Sequence, residues 1–318
     1  MPTRCPQKNA RTEFLKRQWS HGLALTLSVL TLLLVIAGAL VTGTGSSLAV
    51  PDWPLSYGQF FPPMVGGIFY EHGHRMIAAT VGLLTVGLCG WLWWVEERRW
   101  VRLLALGAVG LVILQGALGG ITVLLLLPKP ISIGHAMLGQ LFFLLTVLLA
   151  QATSPGWERL VPGRRRAEPG RTGLWSAILA AAILLQLGLG ATVRHNEAGL
   201  AIPDFPLAYG ALIPPLTSFS VAVHFFHRVG AVAVVVLVGI VLWQTRKAHR
   251  EQPALLTPAM VLAFLVVVQV VLGGISIWSR LAVPVTTLHV ATGALLLAGS
   301  GLLAFRGAAL ENFSRRGG

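Results

Sequence analysis

Four histidines lie inside long apolar segments and form two pairs with nearly the same spacing. His74 and His135 in the first half correspond to His227 and His289 in the second half, at offsets of 153 and 154 residues. Ionisable side chains inside apolar, membrane-like segments usually mark a functional site, because burying them without a partner is unfavourable. The duplicated pair therefore indicates a chemical role that each half of the chain carries.

The spacing of these histidines favours a flat, iron-containing ligand. Two imidazoles on facing helices can bind the two axial positions of one haem iron. Zinc or copper would need several ligands that converge on one point, which two separate pairs do not easily provide. One helical turn after each histidine, a small residue leaves room for a planar group; these residues are Ala78, Gly139, Ala231 and Gly293. The alternative is that each histidine only forms a hydrogen bond to a neighbouring helix.

The two halves differ three residues before the first histidine of each pair. The first half has Glu71 at this position, and the second half has His224. A carboxylate beside a haem can act as a general base or stabilise a developing positive charge, so the sequence predicts that the first half is the reactive one. The alternative is that Glu71 only interacts with the N-terminal turn of its own helix.

Arg75 and Arg228 directly follow His74 and His227 in the sequence. Haem propionates are carboxylates, and arginine binds carboxylates well, so we predict that both arginines contact the propionates of a bound haem. The alternative is that both side chains only extend to the membrane interface.

The composition predicts an all-α integral membrane protein. Of 318 residues, 55% are hydrophobic and 11% are charged, and the mean hydropathy is +0.74. Eight apolar stretches are each long enough to span a bilayer as a helix: residues 21–43, 72–95, 101–127, 133–152, 173–193, 223–244, 256–278 and 285–305. The net charge of +13 does not indicate nucleic-acid binding, because the basic residues concentrate on alternate connections, as in multi-pass proteins of the cell inner (plasma) membrane with cytoplasmic termini.

The repeat divides the chain into two four-helix bundles in a parallel arrangement. We predict an N-terminal half at 1–153, a basic cytoplasmic linker at 154–172 and a C-terminal half at 173–318. An even number of crossings in each half makes both halves enter the membrane from the same side. The proline-rich outer loops, near 44–70 and 195–222, are expected to form structured lids. His72 is expected in the first of these loops, and His74 and His227 are expected at the starts of the second and sixth helices.

Several motifs in this frame look like those of the heme A synthase family. They are PDWPLSYGQFFPP, EHGHR, LGGIT followed by GHAMLGQ, HFFHR, and LGGIS followed by LHVATGA. The resemblance covers nearly the whole transmembrane region. It implies oxidation of the C8 methyl group of haem O to a formyl group by successive hydroxylations, with electrons passing through a bound haem b. Haem O synthase and a terminal oxidase are then the expected protein partners, with membrane lipid around the bundle and the oligomeric state left open.

Carried over to this sequence, the resemblance places substrate haem O between His74 and His135, with Glu71 as the acidic residue beside the first histidine. It makes His227 and His289 the axial ligands of haem b. Two alternatives stay open: a bis-histidine cytochrome b that only carries electrons, and a protein that delivers haem without modifying it.

The chain departs from the family pattern in its first half. Many bacterial members have a cysteine pair in the first outer loop, where this sequence has Val50 and Ser56. Thr42 stands where members often have arginine, although Arg194 occupies the paired position in the second half. Propionate binding in the first half is therefore expected to depend more on Arg75.

Overall fold

Eight long helices form the protein, and each is long and apolar enough to cross a membrane. The computed structural model describes residues 6–157 and 170–311, with side chains from Leu15 onwards. The helices are α1 (Pro6–Gly43), α2 (Gly66–Val95), α3 (Arg99–Leu124), α4 (Lys129–Thr153), α5 (Thr172–His195), α6 (Phe219–His249), α7 (Pro253–Trp278) and α8 (Val283–Glu311). A single 3-10 turn (Ala198–Leu200) follows α5, and the described residues form no β-strand. The predicted all-helical fold with eight membrane-spanning helices is confirmed.

Every helix begins before the apolar stretch that predicted it, although α3 ends at Leu124 rather than at residue 127. Helix α2 begins at Gly66 rather than at residue 72, and α6 begins at Phe219 rather than at residue 223. Hydropathy marks only the part of a helix that lies in hydrocarbon, whereas the backbone hydrogen bonds continue into the polar interface. His74 and His227 consequently lie about two turns inside their helices, not at the helix starts as we expected.

Each half packs as a closed ring of four helices. In the first half, neighbouring helices pack in the order α1, α2, α3, α4 and back to α1, and the second half repeats this order from α5 to α8. Helix α2 therefore faces α4 across the first bundle, and α6 faces α8 across the second. The parallel repeat and the domain boundaries stay predictions, and residues 158–169 of the predicted linker lie outside the described part of the chain.

The two bundles meet along helix α8, which packs against α1 and α4 of the first half, while α4 also contacts α5. Two partly buried arginines cross this boundary. Arg194 donates from Nη2 to the backbone oxygen of Ala39 at 2.8 Å. Near the opposite ends of the helices, Arg306 donates from Nε and Nη2 to Oε1 of Gln151, at 2.9 and 2.6 Å. Each end of the boundary is thus held by an arginine hydrogen bond.

Candidate functional site

Each predicted histidine lies with its ring against a glycine of the preceding helix. The pairs, with the distance from a Cβ atom built on the glycine to Cε1 of the ring, are Gly38 and His74 (3.1 Å), Gly119 and His135 (3.1 Å), Gly190 and His227 (3.0 Å), and Gly273 and His289 (3.4 Å). Most of these distances are shorter than side chains normally tolerate, so a larger residue would displace the ring. Glycine on α1, α3, α5 and α7 thus creates the space in which the four imidazoles lie.

The two histidines of each half lie on helices that face each other. His74 on α2 and His135 on α4 belong to opposite helices of the first bundle, and His227 on α6 and His289 on α8 belong to opposite helices of the second. This placement is compatible with the two predicted pairs, and the binding of one iron by each pair stays a prediction.

A glutamine side chain contacts the ring of three of these histidines. Nε2 of Gln115 lies 3.4 Å from Nε2 of His135 and donates to its backbone oxygen at 3.1 Å. Nε2 of Gln186 lies 3.0 Å from Nδ1 of His227 and donates to the backbone oxygen at 2.7 Å. Nε2 of Gln269 lies 3.3 Å from Nε2 of His289.

Two of these glutamines lie against the small residues that follow the histidines. A Cβ atom on Gly139 would lie 3.2 Å from Nε2 of Gln115, and one on Gly293 would lie 3.3 Å from Nε2 of Gln269. These two glycines therefore make room for glutamine side chains, and the space that they were predicted to leave for a planar group stays a prediction. The sequence signal for the glutamines was the repeat, which aligns Gln115 with Gln269, but it did not reveal their contact with the rings.

The imidazoles have the properties of free iron ligands. Nδ1 of His74, His135 and His289 is buried and has no hydrogen-bond partner, which is uncommon for a buried polar atom. Among residues 6–157 and 170–311, no three His, Cys, Asp or Glu side chains come together as a possible metal site. The first bundle thus contains two imidazoles with an unpartnered Nδ1, those of His74 and His135, and the second contains one, that of His289. Imidazoles of this kind fit a haem iron.

Glu71 does not interact with the first turn of α2, which contains no acidic residue. Its side chain is buried, with 4% of the residue exposed. One carboxylate oxygen accepts a hydrogen bond from the backbone N–H of Val50 at 2.8 Å. The other forms an ion pair with Nη2 of Arg75 at 2.6 Å. The carboxylate is thus fixed one helical turn from His74, between α2 and the first outer loop.

Arg75 and Arg228 both bind backbone oxygens of the outer loops. Arg75 donates to the carbonyl groups of three loop residues, at 2.7 to 3.1 Å; these residues are Asp52, Leu55 and Val50. Arg228 donates to the carbonyl groups of Leu207 and Ile202, at 2.8 and 3.0 Å. These contacts are made to protein rather than to lipid, and the predicted contact of either arginine with propionates stays a prediction.

The outer loops cover the outer ends of the two bundles. A Cβ atom on Gly120 would lie 2.7 Å from Cδ2 of Trp53, so the indole of the first loop packs on α3 beside the glycine that contacts His135. In the second loop, Phe205 packs in the same way on Gly274 of α7, at 3.0 Å from its Cδ1. An aromatic side chain thus covers one wall of each histidine site.

A carboxylate near the start of each loop holds the turn that follows it. Asp52 accepts hydrogen bonds from the backbone N–H groups of Tyr57 and Gly58, at 2.7 and 2.8 Å. The bonds from Gly58 and Tyr57 lower the pKa of the Asp52 carboxyl group. In the second loop, hydrogen bonds from Gly210 and Tyr209 lower the pKa of Asp204 in the same way. Both loops are therefore ordered by an ionised aspartate.

Sequence reasoning missed one buried polar pair in the first half. His72 was expected in the outer loop, but it lies in α2, where 7% of it is exposed. Its Nδ1 shares a hydrogen bond of 2.8 Å with Oγ of Ser56. The hydropathy boundary at residue 72 hid this contact. Val50 and Ser56, the loop residues at the positions of the family's cysteine pair, are both buried.

Residues 64–300 match a protein family described as "Cytochrome oxidase assembly protein" (COX15-CtaA). A protein named heme A synthase from Symbiobacterium thermophilum is 37% identical over 237 residues, which cover 71% of this chain and 76% of the relative. The heme A synthase of Alkalihalophilus pseudofirmus is 31% identical over 269 residues, which cover 82% and 88% of the two chains. This chain belongs to the heme A synthase family.

The match confirms the family that the sequence motifs indicated. It begins just before α2 and ends within α8, so it includes Glu71 and both histidine pairs. The heme A synthase family membership therefore rests on the same segments that build the two sites.

Proposed function

We propose that this protein is a membrane oxidoreductase that converts haem O into haem A, with the first half binding the substrate. The observation that supports this function best is the fixed carboxylate of Glu71 beside His74, in a family whose similar members are named heme A synthase. His74 and His135 would bind the iron of haem O from opposite sides. The reaction would oxidise the C8 methyl group by two hydroxylations, each of which removes two electrons and two protons, and loss of water from the second product would leave a formyl group. The four electrons would pass to an electron acceptor outside this chain.

In this proposal, the second half has a different role. His227 and His289 would hold haem b, which supplies one-electron transfer when it is bound. His224, which stands in place of Glu71, accepts a hydrogen bond from the backbone N–H of Ile202 at 3.3 Å. This contact holds the second loop, and it brings no carboxylate to the site.

The carboxylate of Glu71 is held in a fixed position. Arg75 forms an ion pair with one oxygen at 2.6 Å, and the N–H of Val50 donates to the other. A carboxylate fixed in this way could stabilise positive charge that develops near the methyl carbon or accept a proton as the methyl group is oxidised.

The test is to replace Glu71→Gln, which keeps the size of the side chain and an oxygen that can accept from Val50. With a haem O supply, we expect haem A formation to fall about 100-fold or more, with an unchanged amount of total haem per protein. The matched control is His224→Gln at the equivalent position of the second half, for which a decrease of less than about 10-fold is expected because it has no carboxylate to lose. Haem extraction and chromatography measure both.

The two alternative functions give different results in this experiment. A cytochrome that only carries electrons would contain haem b alone, even when haem O is supplied. A delivery protein would carry haem O, and Glu71→Gln would leave that unchanged. Normal haem A formation by Glu71→Gln would show that the assignment of Glu71 is wrong.

We also propose that the protein lies in the plasma membrane with both termini in the cytoplasm. The basic residues supporting this proposal lie near one end of the bundles; among the described residues these include Arg98, Arg102, Arg246, Lys247 and Arg306. The tails themselves, 1–5 and 312–318, lie outside the described residues. A reporter that is active only in the cytoplasm should be active when it is fused to the C-terminus, and a reporter that is active only on the other side of the membrane should not.

A further inference from the structure

The four histidines are not held equally. On α3, α5 and α7, a glutamine stands one turn before the glycine that contacts the ring, and its amide reaches the ring nitrogen. The equivalent residue on α1, one turn before Gly38, is Leu34. Leucine has no group that can form a hydrogen bond, so His74 is the one histidine of the four without a side-chain amide beside it.

The space around the rings repeats this difference. Each glutamine packs against a glycine three or four residues after its histidine; these glycines are Gly139, Gly230 and Gly293. After His74, the corresponding residues are Ile77 and Ala78. Leu34 and Ile77 both pack against the hydrophobic core of the first bundle. The first site thus has neither the glutamine nor the glycine that would make room for it.

The rings differ in the side chain beside them rather than in the state of Nδ1. Nδ1 is buried without a hydrogen-bond partner in His74, as it is in His135 and His289, but only His74 has an apolar side chain, that of Leu34, at the glutamine position. The glutamine amide, in contrast, offers a donor in one rotation and an acceptor in the other, and Oε1 of all three glutamines is unpartnered. A glutamine can therefore pair with the nitrogen that the iron does not use, in whichever protonation state that nitrogen takes.

From this difference we infer that His74 is the displaceable iron ligand of the protein, and that Leu34 is the positioning residue that makes it so. Groups that hold the second nitrogen of a ligating histidine fix the ring and strengthen its bond to the metal, and losing them typically weakens metal binding 10- to 100-fold. The inference rests on the proposed function, in which haem O must enter and haem A must leave the first half while haem b stays in the second. A weakly held ligand on the Glu71 side of the site serves that exchange.

Carbon monoxide tests this inference, because it binds a six-coordinate ferrous haem only where it can displace an axial ligand. The purified protein, loaded with two haems and reduced, should bind carbon monoxide at about half of its haem. The variant Leu34→Gln/Ala78→Gly supplies both the amide and the space found beside His135 and His289. We expect its affinity for carbon monoxide at the first site to fall about 10-fold or more. Ala78→Gly alone is the control for the added space, and without the amide it should lower the affinity for carbon monoxide less than the double variant does.

The converse change provides a second test in case the double variant does not accumulate. Gln269→Leu gives His289 the surroundings of His74, and carbon monoxide should then also bind at the second site. If the double variant leaves carbon monoxide binding unchanged, or if Gln269→Leu adds none, the inference is overturned. Haem content, measured separately, distinguishes this failure from that of the proposed function: fewer than two haem sites would overturn both, whereas two sites with unchanged carbon monoxide binding would overturn only the inference.

Discussion

In each half, a backbone N–H at the equivalent loop position donates to a side chain of the following helix, but that side chain differs between the halves. In the first half, the N–H of Val50 donates to Glu71, and in the second half the N–H of Ile202 donates to His224. The loop needs only an acceptor at this position, which a neutral imidazole also provides. The carboxylate of the first half is therefore not required by the fold, and its presence there is better explained by chemistry at the site.

The largest effect is expected when one proposed iron ligand is removed from either half. His135→Ala and His289→Ala should each lower the haem content by about one per protein, because one imidazole holds haem far less well than two. His135→Ala should remove haem O and leave haem b, and His289→Ala should do the reverse. Extracted pigments would contradict the assignment of the halves if both variants lost the same haem.

The sequence alone was sufficient to predict the histidine pairs, because duplication of buried ionisable residues is visible without coordinates. It also predicted the eight helices, since runs of apolar residues identify membrane spans directly. It did not predict that Arg75 binds the loop, because that contact joins residues 20 to 25 positions apart through a turn whose path the sequence does not reveal. His72 was misplaced since hydropathy does not show how far a helix continues outside the hydrocarbon region.

A second test compares the arginines that hold the loops. Arg75→Gln leaves the buried carboxylate of Glu71 without a positive partner, which we expect to cost about 3 kcal/mol or more. Arg228→Gln removes hydrogen bonds to carbonyl groups and no ion pair, at about 1 to 3 kcal/mol. The midpoint of thermal unfolding in detergent should therefore fall further for Arg75→Gln. Adding Glu71→Gln to Arg75→Gln should recover part of the loss, and no recovery would count against a buried ion pair.

The glycines beside the rings allow a finer test within the second half. A methyl group on Gly190 would lie 3.0 Å from the ring of His227, whereas one on Gly273 would lie 3.4 Å from that of His289. Gly190→Ala should therefore shift its ring and weaken haem b binding about 10-fold, and Gly273→Ala should have little effect. The amount of haem b that each variant retains after dilution measures both effects. Equal loss of haem b from the two variants would contradict the prediction that the shorter distance to the ring matters.

The smallest effects are expected where the halves are alike. Asp52→Asn and Asp204→Asn each remove an acceptor charge from the same type of turn, so both should lower the unfolding midpoint by about 2 °C or less and to the same extent. Because the pKa of both carboxyl groups is lowered, their contribution to stability is complete above the usual aspartate pKa and is lost as the pH falls below about 4. Unfolding measured from pH 3 to 7 checks this, and a marked difference between the loops would contradict their equivalence.

Helix α8 provides one of the two imidazoles of the second bundle and also packs against two helices of the first. We therefore expect that the two bundles cannot be separated into independently working proteins, although the sequence predicts that they are repeats. A chain shortened before α8 would deprive the first bundle of a supporting wall as well as the second of a ligand. A substitution that disturbs the packing of α8 is therefore expected to affect both bundles.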